Sequence, residues 1–125
     1  MVSYIGELGG SVPYTAYNAK KSYIENNHDV IEKFTRAIDK GLKYVYSHET
    51  IEVAKIMLDY FPNTTLDDMI KIVDRYKNGE AWKKNVTINE YEWNHIQEII
   101  KSAGELDKYV PYGELIYSKY FSDYE

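Results

Sequence analysis

The chain contains no cysteine, which excludes disulfide bonds, thiolate nucleophiles and zinc–thiolate sites together. Arginine is scarce as well, with 2 residues against 13 lysines, and the basic side chains form no cluster larger than a pair. The formal net charge is -5, so the chain on average repels a phosphate backbone. We therefore expect no nucleic-acid partner.

Long apolar runs are also missing. No stretch approaches the roughly 20 consecutive apolar residues that a membrane helix needs. The first residues contain neither a basic segment nor an apolar core, so no export signal is visible in this chain. The hydrophobic share of 44% and the charged share of 28% are ordinary for a folded protein, and 125 residues suit a single unit.

The sequence contains no recognisable catalytic motif. Its three histidines, His28, His48 and His95, are too widely spaced to share one helix face as metal ligands. Asp67 and Asp68 are adjacent acids in a predicted first helical turn, where carboxylates complement the helix dipole. Neither a phosphate-binding glycine loop nor a nucleophile elbow is found. We expect no enzyme activity, no cofactor and no metal.

A helical pattern covers most of the chain. Residues 2–8 and 12–17 are rich in β-branched and aromatic side chains and predict two short strands, the second with Pro13 near its start. From Lys20 onward, apolar residues recur at steps of three and four. Capping signals separate the segments, namely Asp29 with Glu32, Thr50, Thr65 with Asp68, and Asn89 with Glu92. The predicted class is therefore α+β, predominantly α-helical, with five to six helices. Their expected extents are about 20–27, 29–47, 50–61, 65–79, 89–104 and a short helix starting at Pro111.

Several phrases, read in order, resemble one known family. They are GGSVPYTAY at 9–17, VIEKFTRAI at 30–38, YFPNT at 60–64, RYK at 75–77, AWK at 81–83, AGEL at 103–106 and VPY at 110–112. Together they are similar to the C-terminal part of solute-binding proteins of ABC importers, in the group for thiamine pyrimidine precursors, taurine and alkanesulfonates. The resemblance spans nearly the whole chain, and it covers only the C-terminal portion of such a protein.

The resemblance implies a fold and a mechanism. It implies a fragment of a two-lobed, type II periplasmic-binding-protein fold of α/β class, in which residues 1–19 form crossover strands and residues 20–125 form helices of the first lobe. The complete protein would close its lobes on a small solute and dock on permease subunits of the importer. Its location would be extracytoplasmic, either periplasmic or lipid-anchored at the cell surface.

The same resemblance implies candidate ligand contacts, because a crossover segment faces the cleft. These are Ser11, Tyr14, Thr15 and Tyr17. The tyrosines could stack on a planar ring or donate a hydroxyl to the solute, or they could pack in the hinge. Trp82 and Trp93 are expected to be packing anchors.

Two other hypotheses remain at this stage. The chain could be a free-standing helical interaction module that forms a homo-oligomer, because unpaired strand edges and apolar stripes favour association. Pyrimidine-precursor synthases share the fold of these binding proteins, but the half expected to contain their active site is absent from this sequence. The enzyme hypothesis is therefore the weaker of the two.

Overall fold

A computed structural model describes residues 10–120, and more than half of them are helical. Six helices follow one another in this part of the chain. They are α1 (Lys21–Asn26), α2 (His28–Ser47), α3 (Thr50–Leu58), α4 (Leu66–Asn78), α5 (Glu90–Ser102) and α6 (Tyr112–Leu115). Within residues 10–120, no helix has the length and apolar character needed to cross a membrane.

The predicted α+β class is wrong in its β component, and its helical component is right. The strand predicted at 2–8 lies outside the described residues. Residues 12–20 are neither strand nor helix, and the structure places no sheet anywhere in the range it describes. The β-branched and aromatic side chains at 12–17 favour a strand only where a partner strand completes the hydrogen bonds. The described residues therefore do not show the sheet of a two-lobed α/β fold.

Helix starts agree with the predicted caps at two places. The Thr65 hydroxyl accepts the backbone N–H of Asp68 at 3.2 Å and begins α4. At α5, Asn89 and Glu92 form a reciprocal capping box, in which each side chain accepts the other residue's backbone N–H. Both features were predictable because a cap is formed by residues three positions apart.

Other helix boundaries differ from the prediction. Helix α3 begins at Thr50, so Glu49 is its N-cap, and the Glu52 carboxylate accepts the Glu49 backbone N–H at 3.2 Å. Helix α2 begins at His28, which places Asp29 inside the helix rather than at its cap. Helix α3 ends at Leu58, before the predicted end at 61, and the chain turns there.

Helices α4 and α5 end in the same hydrogen-bonded motif. In α4, the N–H groups of Glu80 and Ala81 donate to the carbonyls of Lys77 and Tyr76. In α5, Gly104 and Glu105 donate in the same way to Lys101 and Ile100. This is the Schellman arrangement, whose C′ residue adopts the left-handed conformation. That residue is Gly104 (φ 80°) in α5 but Glu80 (φ 48°) in α4.

The chain divides into two compact units, and the division falls within α2, after Glu32. The second unit, Lys33–Val86, contains an apolar core formed by α3 and α4. Its fully buried side chains are Val53, Ala54, Met69 and Val73. Partly buried neighbours pack around them, namely Val45, Met57, Leu58, Leu66, Ile70 and Trp82.

The first unit is formed by the described residues up to Glu32 and from Thr87 onward. Its buried side chains on α5 are polar, Glu92 at 6% exposure and Gln97 at 3%. A buried polar side chain is costly unless it is hydrogen-bonded, so its partners show what it stabilises. These partners define the candidate site.

Candidate functional site

The predicted ligand residues lie in a segment without regular secondary structure, residues 11–17, that precedes α1. Tyr14 is 95% exposed and Tyr17 is 75% exposed, and Thr15 is exposed between them. Tyr17 makes an interaction of its own and is not a free side chain. The ligand-binding role of all four residues stays a prediction.

Ser11 is attached to α5. Its hydroxyl donates a hydrogen bond of 2.8 Å to Oε1 of Glu92, which lies 81 positions away in the sequence. The other carboxylate oxygen, Oε2, accepts the backbone N–H of Asn89 at 3.0 Å. One buried carboxylate therefore caps its own helix and holds a distant segment. Ser11 was predicted to contact a ligand, and in this structure its hydroxyl contacts Glu92.

Gly10 brings the backbone close to the same helix. A Cβ added at this position would lie 3.4 Å from Nε2 of His95, and the φ of Gly10 is +74°, a value that L side chains rarely adopt. The His95 ring stacks on Tyr91 with a centroid separation of 5.8 Å. Gly10 and Ser11 thus lie against residues 95 and 92, which share one face of α5.

A second set of contacts on α5 holds the segment before α6. The indole N–H of Trp93 donates to the Val110 carbonyl at 2.8 Å. The side chain of Gln97 accepts the Val110 N–H at 2.6 Å and donates to its carbonyl at 3.2 Å. The Tyr112 hydroxyl donates to the Ile88 carbonyl at 2.6 Å. Trp93 is therefore an anchor, as predicted, whereas nothing in the sequence pattern indicated Gln97.

The second unit contains a separate aromatic and charged cluster. Trp82 packs against the core, with its ring centroid 5.0 Å from that of Tyr76. The Tyr46 hydroxyl donates to the Trp82 carbonyl. Burial, and then the negative charge of Glu80, raises the pKa of Tyr46 above its ordinary value of 10.0, whereas Lys84 acts in the opposite direction. These groups fasten the segment after α4 to α2.

Two histidines make contacts at or near the ends of α2. His48 follows the helix, and its Nδ1 lies 3.0 Å from the Tyr44 carbonyl, a terminal backbone group of α2. Its ring also stacks on Tyr44 at 3.7 Å. At the start of α2, Nδ1 of His28 lies 3.2 Å from the Tyr117 hydroxyl. Among residues 10–120 no group of three or more His, Asp or Glu side chains is arranged to hold a metal ion.

These observations define a mainly helical chain in which Glu92 of α5 binds Ser11, at the start of a tyrosine-containing segment without regular secondary structure. Over 116 residues, 93% of its length, the chain is 36% identical to a Bacillus subtilis (strain 168) protein named "Putative binding protein YtlA". The chain spans 35% of that relative's length. No protein-family description matches the chain. No solved structure matches it either. The name of that relative speaks of binding and specifies no ligand.

Proposed function

We propose that this chain is part of the substrate-binding component of an ABC-type importer for a small solute. The supporting observation is the similarity to YtlA, which extends over 93% of the chain at 36% identity. The name of that relative speaks of binding alone. The importer, its permease subunits and an extracytoplasmic location are therefore part of the proposal, which takes them from the resemblance in the sequence.

The proposed solute contacts are Ser11, Tyr14, Thr15 and Tyr17. A tyrosine offers a flat apolar ring and a hydroxyl, which suit a heteroaromatic solute or a polar sulfonate. Tyr14 at 95% exposure and Tyr17 at 75% exposure lie three positions apart on a segment that Ser11 holds against α5. The proposed ligand classes are an aminopyrimidine precursor of thiamine, taurine, an alkanesulfonate or nitrate.

The isolated chain should bind such a solute weakly. A drug-sized or smaller ligand is held tightly only when a pocket buries most of its surface, and Tyr14 lies almost fully in solvent. We expect dissociation constants weaker than about 1 mM, equivalent to about -4 kcal/mol. The corresponding test is an NMR titration of the ¹⁵N-labelled chain with each solute. Shifts should appear at Tyr14, Thr15 and Tyr17.

A chimera tests the same proposal at higher affinity. The 116-residue region of YtlA that matches this chain would be replaced by the chain itself, and solute binding by YtlA and by the chimera would be compared by calorimetry. Binding of one solute by both supports the proposal. A folded chimera that binds nothing, beside a YtlA that binds, contradicts the proposed role of this chain. A YtlA that binds none of the four solute classes contradicts the proposed ligand.

Matched variants locate the binding surface. Tyr14→Ala in the chimera should weaken binding about tenfold, because one stacking or hydrogen-bonding contact is lost. Tyr60→Ala is the control, since Tyr60 is 79% exposed and lies in the other unit. Equal effects of the two substitutions would show that Tyr14 has no specific role.

A homo-oligomeric interaction module is a second candidate, supported by one apolar patch. Ile56, Tyr60 and Phe61 are 51%, 79% and 48% exposed and lie within six positions. Ile56 is in the last turn of α3, and the other two residues follow its end at Leu58. Clustered apolar surface of this kind favours association. Light scattering at micromolar concentration should then report a dimer or larger oligomer, and Ile56→Ser should reduce its mass. A monomer would rule this candidate out.

A further inference from the structure

We propose that Glu92 is a positioning residue for the solute-binding segment, and that it acts through its hydrogen bond to Ser11. The structural part of this inference rests on contacts within the first unit, and its functional part rests on the function proposed above. It assigns Glu92 a role beyond capping its own helix.

The two carboxylate oxygens of Glu92 make different contacts. The capping box uses Oε2, which accepts the Asn89 N–H at 3.0 Å. Glu92 as a whole is only 6% exposed, so Oε1 has little access to water. A buried carboxylate oxygen is costly without a donor, and the Ser11 hydroxyl at 2.8 Å supplies one. Burial of Glu92 and attachment of Ser11 thus stabilise each other.

The attachment also fixes the direction in which the segment continues. Gly10 passes His95 with a left-handed φ of +74°, and Ser11 is bound to Glu92 one helical turn away. Pro13 follows, and its ring fixes its own φ and restricts Val12 to extended conformations. Tyr14 lies three positions after Ser11, so the two Cα atoms are at most about 11 Å apart. A displaced Ser11 would therefore release the tyrosine as well.

Three variants separate positioning from capping. Ser11→Ala removes the Ser11 hydroxyl that donates to Oε1 of Glu92 and leaves the capping box intact. Ser11→Thr keeps the hydroxyl and should rescue the attachment. Asn89→Ala is the matched control, because it removes the side chain that accepts the Glu92 N–H at 2.9 Å but keeps its own backbone N–H for Oε2. It should lower stability without freeing Ser11.

The primary measurement is the ¹H–¹⁵N heteronuclear NOE of Val12, Tyr14, Thr15 and Tyr17 in the full chain, which reports backbone order on the ps–ns timescale. We expect Ser11→Ala to lower these values, whereas Ser11→Thr and Asn89→Ala should leave them near the original. Unchanged values in Ser11→Ala would overturn the proposal, because the segment would then be ordered without Glu92.

The solute titration is the second measurement. Ser11→Ala should weaken solute binding about fivefold, because the solute must then order a looser segment. Since Ser11 is also a proposed solute contact, the NOE values and not this titration decide the role of Glu92. If the NOE values fall and neither the original chain nor any variant responds to solute, Glu92 positions the segment and the proposed function is wrong. If the original chain binds solute at Tyr14 and the NOE values do not change in Ser11→Ala, the proposed function stands and the role of Glu92 is wrong.

Discussion

The side-chain amide of Gln97 pairs with the backbone of Val110 in the way that a neighbouring strand would. It accepts the Val110 N–H at 2.6 Å and donates to the Val110 carbonyl at 3.2 Å, while Gln97 itself is only 3% exposed. This pair joins the middle of α5 to a segment that has no regular secondary structure. A buried peptide group outside a helix or sheet needs such a partner.

Removing Gln97 should therefore destabilise the chain. Gln97→Ala removes the acceptor of the Val110 N–H, and the loss of such a part-buried hydrogen bond costs about 1 kcal/mol. Trp93 still donates to the Val110 carbonyl at 2.8 Å, so that side of the peptide stays paired. Urea denaturation followed by circular dichroism would measure the loss. Glu98→Ala, at an exposed position of the same helix, should change the free energy of unfolding by less than about 0.5 kcal/mol.

Glu80 and Gly104 occupy equivalent positions in the two Schellman motifs. We expect exchanging the residue type at these positions to change the free energy of unfolding in opposite directions. Glu80 has a φ of 48°, which strains an L residue, whereas Gly104 adopts 80°. Glu80→Gly should stabilise the chain and Gly104→Ala should destabilise it, each by about 1 kcal/mol. Glu80→Gly also removes an ion pair with Lys84, but both side chains are about two-thirds exposed and such pairs contribute little. Equal signs in thermal denaturation would contradict this explanation.

Local chemistry explains what the sequence predicted correctly. Thr65 and the Asn89–Glu92 pair cap helices through residues three positions apart, so their spacing alone indicates the contact. The strand predicted at 12–17 is wrong because a strand, unlike a cap, depends on residues that are distant in the sequence. Its side chains favour a pleated surface, but a strand also needs a partner that the sequence pattern cannot supply. Helix content was therefore predictable, whereas the state of residues 12–17 was not.

The contacts of the candidate site could not be predicted from the sequence. Ser11 and Glu92 are 81 positions apart, and each has an ordinary local role as a loop serine or a capping acid. Glutamine is mostly exposed in proteins, so residue type alone favours a surface position for Gln97. Nothing local distinguishes a buried glutamine with a peptide partner from an exposed one. The exposure of Tyr14 likewise depends on which residues pack against its side chain, and the local sequence does not show this.

Thr65 should control the acid titration of Asp68. Hydrogen bonds from the Thr65 hydroxyl, and then from Lys71, hold the pKa of Asp68 below its ordinary value of 3.8. Since the pKa is depressed in the folded state, this contribution is present above pH 3.8 and is lost as the pH falls through the folded pKa. Thr65→Val should raise the pKa of Asp68 towards 3.8. Carboxyl NMR titration would measure it, and Thr64→Val, at the neighbouring residue, should leave it unchanged.

Tyr46 should make the stability of the chain depend on pH in the alkaline range, in the opposite direction to Asp68. Burial, followed by the charge of Glu80, raises its pKa above 10.0. Its contribution to stability is therefore present below pH 10.0 and is lost as the pH rises through the folded pKa. Tyr46→Phe should abolish that alkaline loss. At neutral pH it should also cost about 1–2 kcal/mol, because the Trp82 carbonyl loses its donor.

The two charges beside Tyr46 allow a stricter test of the same cause. Glu80→Gln removes the negative charge that disfavours the phenolate, so the pKa of Tyr46 should fall. Lys84→Met removes the positive charge that favours it, so the pKa should rise. Both would be measured from the assigned Tyr46 ring signal in an NMR titration. Because Glu80 and Lys84 are ion-paired at 2.5 Å, a purely structural disturbance would shift Tyr46 in one direction in both variants. Opposite shifts can come only from the charges themselves.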